Sequence, residues 1–393
     1  MKIVSVVGAR PNFVKIAPLL KEWRQVPGVD HILVHSGQHY DDQLSASFFR
    51  DLNLPEPDVN LQVGSGSHAW QTAEIMKRVE PVLIEAHPDL VIVVGDVNST
   101  IATALTAAKL NLRLAHVEAG LRSFDNTMPE EINRKLTDVL ADFLFVTEQS
   151  GVENLLREGI GRERIFLVGN VMIDSLFSCR AAAARSTILR DLGLLAGDAH
   201  TLPYGILTLH RPSNVDHLDT LQDVLGSVRA IAQDLPVLFP VHPRTQERIR
   251  SLGLESYFNA GIDARPSRGI IAIPPLGYLD FLCLMDHASV ALTDSGGIQE
   301  ETTALGVPCL TLRENTERPI TISEGTNHLV GLNPEAILST AQQVLRNDRQ
   351  AARRPPLWDG QAAERIVKTL LEQLRRQSLA GSTVDSAPHA RSN

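Results

Sequence analysis

The order of its apolar runs constrains this 393-residue chain more than any other feature. KIVSVVG (2–8), HILVH (31–35), LVIVVG (90–95), LRLAHV (112–117), FLFV (143–146) and RIFLV (164–168) are β-branched and stop at glycine or a polar residue. Between them lie stretches of helical periodicity, around 11–23, 69–85, 99–109, 130–141 and 149–157. Strands that are apolar throughout are buried on both faces, and strands joined through helices run parallel. A helix-like stretch over 170–190 and a Gly-rich linker over 192–204 interrupt the series, which then restarts. The second series is GILTL (205–209), VLFPV (237–241), GIIAI (269–273), SVALT (289–293), PCLTL (308–312) and a short strand near 328–330. Its helices fall at 215–233, 245–252, 278–286, 297–305 and 334–346. The pattern predicts an α/β chain of two doubly wound domains, in keeping with a length too great for one core. Residues 55–68, rich in Pro, Gly and Ser, read as a loop. A last helix covers about 362–378, and the polar tail 380–393 is expected to be disordered.

Composition narrows the function. A net charge of −9 argues against nucleic acid as main partner and still allows a local basic pocket for an anion. Cys179, Cys283 and Cys309 lie far apart without metal-like spacing and read as buried, reduced thiols, which fits the cytosol. The histidines lack the spacing of a zinc site. Neither a signal-peptide pattern nor a bilayer-length apolar run is expected. The absence of GxGxxG after the first strand and of GxxxxGK[ST] anywhere disfavours a dinucleotide or an ATP P-loop.

Doubly wound sheets bind ligands beyond the carboxyl ends of their strands, so the residues after each strand are the candidates. In the first half these are Arg10 and Lys15, then Asp96-Val97-Asn98-Ser99-Thr100, then Glu118 with Arg122 one turn on, and Pro129-Glu130-Glu131 at a helix start. In the second half they are His210-Arg211, His242-Pro243-Arg244 and Asp294-Ser295-Gly296-Gly297. Ser-Gly-Gly between a strand and a helix reads as a phosphate seat, because the first N–H groups of a helix are unpaired and at its positive end. The alternative is that Ser295 merely caps the helix and the glycines relieve a turn. Asp96 and Asn98 could likewise be caps, and Glu130 and Glu131 could simply complement a helix dipole. A carboxylate at the position of Glu118 needs a partner or a task, and Arg122 is the candidate partner. His210 and His242, at matching strand ends, point to function more than a lone histidine would. The residues thus predict a cleft with carboxylates on one wall and an anion seat on the other.

The motifs GARPNFVKIAPL (8–19), GQHYD (37–41), GDVNST (95–100), HVEAGLRS (116–123), MPEEINR (128–134), LHRPSN (209–214), PVHPRT (240–245), LTDSGGIQEE (292–301) and RENTERP (313–319) occur in order. Together they resemble the non-hydrolysing UDP-N-acetylglucosamine 2-epimerases. The resemblance implies two Rossmann-like domains, 1–170 and 171–361, facing a cleft in the GT-B architecture, with the final helix 362–378 packing back on the first. It also implies a homodimer, no redox cofactor, a UDP-sugar substrate, and interconversion of UDP-GlcNAc and UDP-ManNAc by eliminating UDP and adding it back. Asp96, Glu118 and Glu130 resemble the family's catalytic carboxylates, with His210 beside them and base and acid unassigned. Arg10, Lys15, His210, Glu131, His242, Phe281, Ser295, Gly296, Gly297, Glu301 and Arg313 resemble the UDP- and substrate-contacting set. Within it Ser295 and the glycines would take the diphosphate, Glu301 the ribose hydroxyls, and Phe281 or Tyr278 the uracil. His210-Arg211-Pro212-Ser213 departs from the HRRE of many bacterial members, and Asp41 from their Gln or Glu, at segments bordering an activating second substrate site in those members. Relatives acting on UDP-2,3-diacetamido-glucuronate share several of these motifs, so the resemblance specifies UDP more closely than the sugar. A hydrolysing epimerase, a glycosyltransferase of the same architecture and a non-catalytic UDP-sugar sensor are the competing expectations.

Overall fold

The computed structural model describes residues 1–37, 48–196, 200–259, 268–346 and 354–384, the side chains of Arg10 and of 377–384 excepted. The GQHYD motif beyond Gly37, including Asp41, lies outside the described residues.

The first half forms a parallel sheet in the order β3-β2-β1-β4-β5-β6-β7. Its strands are β1 Lys2–Val7, β2 Asp30–His35, β3 Val59–Asn60, β4 Leu90–Val94, β5 Leu114–Ala119, β6 Phe143–Val146 and β7 Ile165–Leu167. A two-residue antiparallel pair, β8 Leu195–Ala196 with β9 His200–Thr201, precedes the second sheet. That sheet, also parallel, runs β12-β11-β10-β13-β14-β15. It is made of β10 Gly205–Thr208, β11 Val237–Pro240, β12 Ile270–Ile273, β13 Val290–Thr293, β14 Cys309–Thr311 and β15 Asn327–Leu329. Both sheets are wound alike. The chain steps outward from β1 to β3, then restarts at β4 beside β1; it repeats this from β10, with β13 as the restart. A crevice opens where such a sheet reverses direction, here between the ends of β1 and β4 and between those of β10 and β13.

One apolar cluster joins the halves. Phe13, Ile16 and Leu19 of the first helix meet Ile173 and Leu176 of helix Val171–Ala183, Leu282 and Met285 of helix Tyr278–His287, and Ile366 and Leu370 of the final helix. The final helix is anchored at its start. Asp174 accepts hydrogen bonds from the Ala362 and Ala363 amides at 3.1 and 2.7 Å, satisfying two donors that a helix cannot pair internally. Just upstream, the buried Trp358 donates Nε1–H to Thr147 O at 3.1 Å.

Several elements differ from the sequence reading. The loop read over 55–68 carries β3, which two residues of pairing to β2 suffice to define. The linker 192–204 holds the β8–β9 pair. The helical stretch after Gly169 ends at Ala183 and resumes only over Ile188–Asp191, and the helix read from 215 begins at Leu218 after a separate turn over Pro212–Val215. The final helix runs to Val384, so residues 380–384 of the expected disordered tail are helical; the remainder lies outside the described residues.

Trp358 fills the junction of the final segment with the first sheet. Trp358→Ala should cost about 3–5 kcal/mol, read as an earlier denaturant midpoint; an unchanged midpoint contradicts this packing.

Candidate functional site

The site forms where the two crevices face each other. From β1 the chain turns through Gly8 and Ala9 into helix Arg10–Trp23, and Asn12 fixes that turn. Its Oδ1 accepts from both amides at 3.1 Å, while its Nδ2 donates to Val94 O, at the end of β4, at 2.9 Å. This brings Lys15, 4% exposed, under the neighbouring strand end. Gly95 there has φ +69°, and a Cβ would stand 2.8 Å from Lys15 Nζ, so the position requires glycine on both counts.

Asp96 follows, a fifth of its side chain exposed, in a very short contact with Arg134 Nη2. Burial alone would raise its pKa, but Arg134 and then Lys15 outweigh it and hold the carboxyl below its ordinary range. Arg134 also grips Glu131 at 2.5 Å.

Glu118 does not follow its strand as the sequence suggested. It lies inside β5, where the register with β6 shifts between Val117 and Ala119, and it has φ +73°. A non-glycine residue there carries strain of about 1–3 kcal/mol and persists only where its surroundings over-determine it. Glu118 is 3% exposed and is held by Lys15 Nζ at 2.6 Å and by Arg318 Nη2 at 3.0 Å. Arg122, expected as its partner, instead pairs with Asp138 at 2.7 Å and Glu158 at 2.6 Å.

Of the adjacent acids in MPEEINR, the structure separates the roles. Glu131 is fully buried and accepts from the Ser123 amide and hydroxyl, the Phe124 amide and Arg134. Its oxygens hold the 123–124 loop. Glu130 is half-buried in the first helical turn, within electrostatic reach of Arg211.

On the second sheet, Asp294 ties the end of β13 to the end of β10. It accepts from the His210 and Arg211 amides at 3.0 and 2.9 Å, and His210 Nδ1 stands 2.9 Å from its Oδ1. Those contacts hold Asp294 ionised below its ordinary range despite burial. His210 is thereby fixed while 55% of its side chain stays exposed. Ser295 sits at the N-cap of helix Gly296–Leu305, yet its hydroxyl makes no capping bond there. A Cβ at Gly296 would stand 2.5 Å from Arg318 Nη1, so the seat is stripped of side chain and backed by a guanidinium. His242 is exposed and caps its own helix, its Nδ1 accepting from the Arg244 amide at 3.4 Å.

Deeper in that helix, Glu301 accepts from Tyr278 Oη at 3.0 Å, and burial pushes its carboxyl up to about 7. Tyr278 is buried, with its hydroxyl so occupied; Phe281 is half-buried three residues on. Arg313 does not stand free. It forms a two-pronged pair with Glu317 at 2.7 and 3.0 Å. The side chain of Arg10 lies outside the described residues.

Sequence reasoning missed Arg134, Glu300 and Arg318, although each lies in a motif that it used. Arg318 Nε is 2.9 Å from Glu300, whose pKa burial pushes to about 7 against the pull of that arginine. Among the described residues no cluster of His, Cys, Asp and Glu is arranged to hold a metal, and no helix is long and apolar enough to cross a membrane.

Two parallel, identically wound sheets meeting at their carboxyl edges, an anion seat on one and carboxylates on the other, define the GT-B architecture. The chain belongs to the UDP-N-acetylglucosamine 2-epimerase family, isomerases acting on a nucleotide sugar, whose family profile matches residues 21–371. It is 40% identical to the Methanocaldococcus jannaschii UDP-N-acetylglucosamine 2-epimerase over 374 residues, covering 94% of this chain and 99% of that one. The crystal structure of the M. jannaschii enzyme with UDP-GlcNAc and UDP superimposes with a TM-score of 0.85, at 39% identity, over 95% of this chain and 100% of that one. The Pseudomonas aeruginosa UDP-2,3-diacetamido-2,3-dideoxy-D-glucuronate 2-epimerase is 37% identical over 378 residues, 94% of this chain and 99% of that one.

The buried acids set a pH dependence. Glu148, Glu300 and Glu301 have carboxyls raised to about 7, so the stability that they contribute as neutral groups is lost as pH rises through about 7. Asp96, Asp138 and Asp294 are lowered, so their contribution is lost as pH falls below the ordinary carboxylate range. The melting temperature of the free protein should therefore peak at weakly acidic pH and decline toward about pH 8; a steady rise through neutrality contradicts this.

Proposed function

We propose that this chain is a non-hydrolysing UDP-N-acetylglucosamine 2-epimerase that interconverts UDP-GlcNAc and UDP-ManNAc. The observation that carries the proposal is that Glu118, from the first sheet, and the Ser295-Gly296-Gly297 seat, from the second, share one guanidinium, that of Arg318. Acid–base groups and a leaving-group seat are then adjacent, which a C1–C2 elimination needs.

The C2 hydrogen is not acidic by itself, because the acetamido group meets C2 through nitrogen. Once the C1–O bond to UDP loosens, C1 becomes cationic and C2–H becomes acidic. In an anti elimination the C2–H pair becomes the C1=C2 bond of 2-acetamidoglucal, the C1–O pair leaves with UDP, and the proton passes to a carboxylate. Asp96, Glu118 and Glu130 are the candidates for that proton and for its return on the other face. Helix N–H groups at Gly296 and Gly297, the Ser295 hydroxyl, Lys15 and His210 would stabilise the departing diphosphate. Glu301 would take the ribose, exchanging the Tyr278 bond for a sugar hydroxyl. Residues 1–170 with helix 362–378 supply the acids, and residues 171–361 hold UDP. Such an enzyme works in the cytoplasm, supplying ManNAc-type donors for surface polysaccharide. The P. aeruginosa relative supports a second reading, epimerisation of UDP-2,3-diacetamido-glucuronate.

In deuterated water, UDP-GlcNAc should gain deuterium at C2 and approach a mixture with its manno epimer; a panel including the diacetamido-glucuronate separates the two readings. Lack of C2 exchange with every UDP-sugar of the panel overturns both. Glu118→Gln or Asp96→Asn should lower turnover by about 10²–10⁴ while UDP affinity stays within a few-fold. Ser295→Ala should instead weaken UDP binding by roughly ten-fold. The reverse pattern would mean that the halves have exchanged roles.

A homodimer is also proposed. Ile132, Leu136 and Val139 stand 47, 49 and 60% exposed on helix Pro129–Leu140, at a spacing that puts them on one face. An apolar stripe of this kind fits a second copy of the chain. Leu136→Asp should shift sedimentation from dimer toward monomer; an unaltered dimer places the interface elsewhere.

A further inference from the structure

His116 lies beneath the candidate acids and takes no part in the chemistry proposed above. It belongs to β5 and is fully buried, as is Asp138 of helix Pro129–Leu140. Its Nδ1 stands 2.7 Å from Asp138 Oδ1, and its Nε2 stands 2.8 Å from Gly95 O. A carbonyl oxygen can only accept, so Nε2 donates. Asp138 is an acceptor as well: its Oδ2 takes the Gly120 amide at 3.1 Å and lies 2.7 Å from Arg122 Nη1. Burial would raise the Asp138 carboxyl, but His116 and Arg122 outweigh it and hold the group below its ordinary range. Nδ1 therefore also donates, and the buried ring carries two protons and a positive charge. A neutral imidazole has one N–H and could serve only one of the two acceptors.

These bonds meet at the backbone that carries the acids. Gly95 directly precedes Asp96. His116 and Gly120 flank Glu118, so the one Asp138 carboxylate pins both ends of the bulge that gives Glu118 its φ of +73°. Asp138 also shares its helix with Glu130 and with Asn133, whose Nδ2 donates to Asp96 O at 2.9 Å. A single buried pair thus joins the end of β4, the bulge of β5 and helix Pro129–Leu140.

We propose that His116, protonated at both ring nitrogens, is a positioning residue for the proposed epimerisation: with Asp138 it forms a clamp that sets the spacing of the Asp96 and Glu118 carboxylates. The inference rests on the epimerase reading. The clamp acts on the acids and not on the Ser295-Gly296-Gly297 seat, which belongs to the other sheet. Removing either partner leaves the other's charge buried and short of a counter-ion, so the two side chains act as one unit. A tie that served stability alone would lower the melting temperature and leave the turnover of the folded enzyme intact.

The test reads the ring first and the variants second. In wild-type enzyme carrying nitrogen-15 in its histidine rings, one imidazole should show both nitrogens protonated and its N–H protons shielded from exchange with water. Absence of such a ring overturns the proposal whether or not any variant folds, and so does its persistence in His116→Gln. His116→Gln, Asp138→Asn and the double variant are then compared for folding by circular dichroism, UDP affinity by calorimetry and C2 deuterium exchange into UDP-GlcNAc. Each single variant should bind UDP within about three-fold of wild type and lose about 100-fold in exchange, the scale expected when an acting group is displaced by about 1 Å. The double variant should fall no further than the singles; losses that multiply overturn the clamp. Wild-type exchange in folded His116→Gln overturns the assignment while leaving the epimerase reading standing, as does a loss of UDP affinity that matches the loss of exchange. Absence of C2 exchange in the wild type overturns the epimerase reading, and the assignment with it.

Discussion

Glu118 is buried, strained and held by cations from both halves of the molecule. Burying a carboxylate is costly unless it is paired, and removing one partner leaves an uncompensated charge. The two sheets are therefore coupled by more than apolar contact. The charges of Lys15, Glu118, Arg318 and Glu300 are paired across the halves only when the carboxyl edge of the first sheet faces that of the second. The winding of each sheet makes this possible, since β1 beside β4 and β10 beside β13 open their crevices toward one another.

The same geometry sorts the ionisable groups by task. Asp96, beside Arg134, stays ionised and can accept a proton or steer a cation. Glu300 and Glu301, deeper in helix Gly296–Leu305, sit near the point of protonation. Glu131 and Asp294 shape backbone instead: one holds the 123–124 loop, the other joins the ends of β10 and β13. Adjacent identical residues, Glu130 and Glu131, end in different roles because one helical position faces the interior and its neighbour does not.

The alternation of buried strands with helices was legible because each strand is apolar on both faces, and strand ends were enough to nominate Asp96, Lys15, His210 and Ser295. Three things were not legible. The spacing points to Arg122, four residues on, as the partner of Glu118, whereas its partners are Lys15 and, from 200 residues later in the chain, Arg318, a pairing that only the meeting of the halves creates. The apolar pattern ends at Val117 and places Glu118 beyond its strand, because a bulge leaves no mark in such a pattern. Arg134 and Arg318 stood at the ends of motifs already in view, but an arginine in a helix or loop reads as solvated unless its buried acids are known.

The account stands on one event, cleavage of the C1–O bond with UDP kept in the cleft. Positional isotope exchange measures it directly: UDP-GlcNAc carrying oxygen-18 in the bridge between C1 and the β-phosphate is incubated with the enzyme and recovered. The account predicts that the label scrambles into the non-bridging β-phosphate oxygens as the epimers interconvert. Epimerisation with the label fixed in the bridge would contradict it.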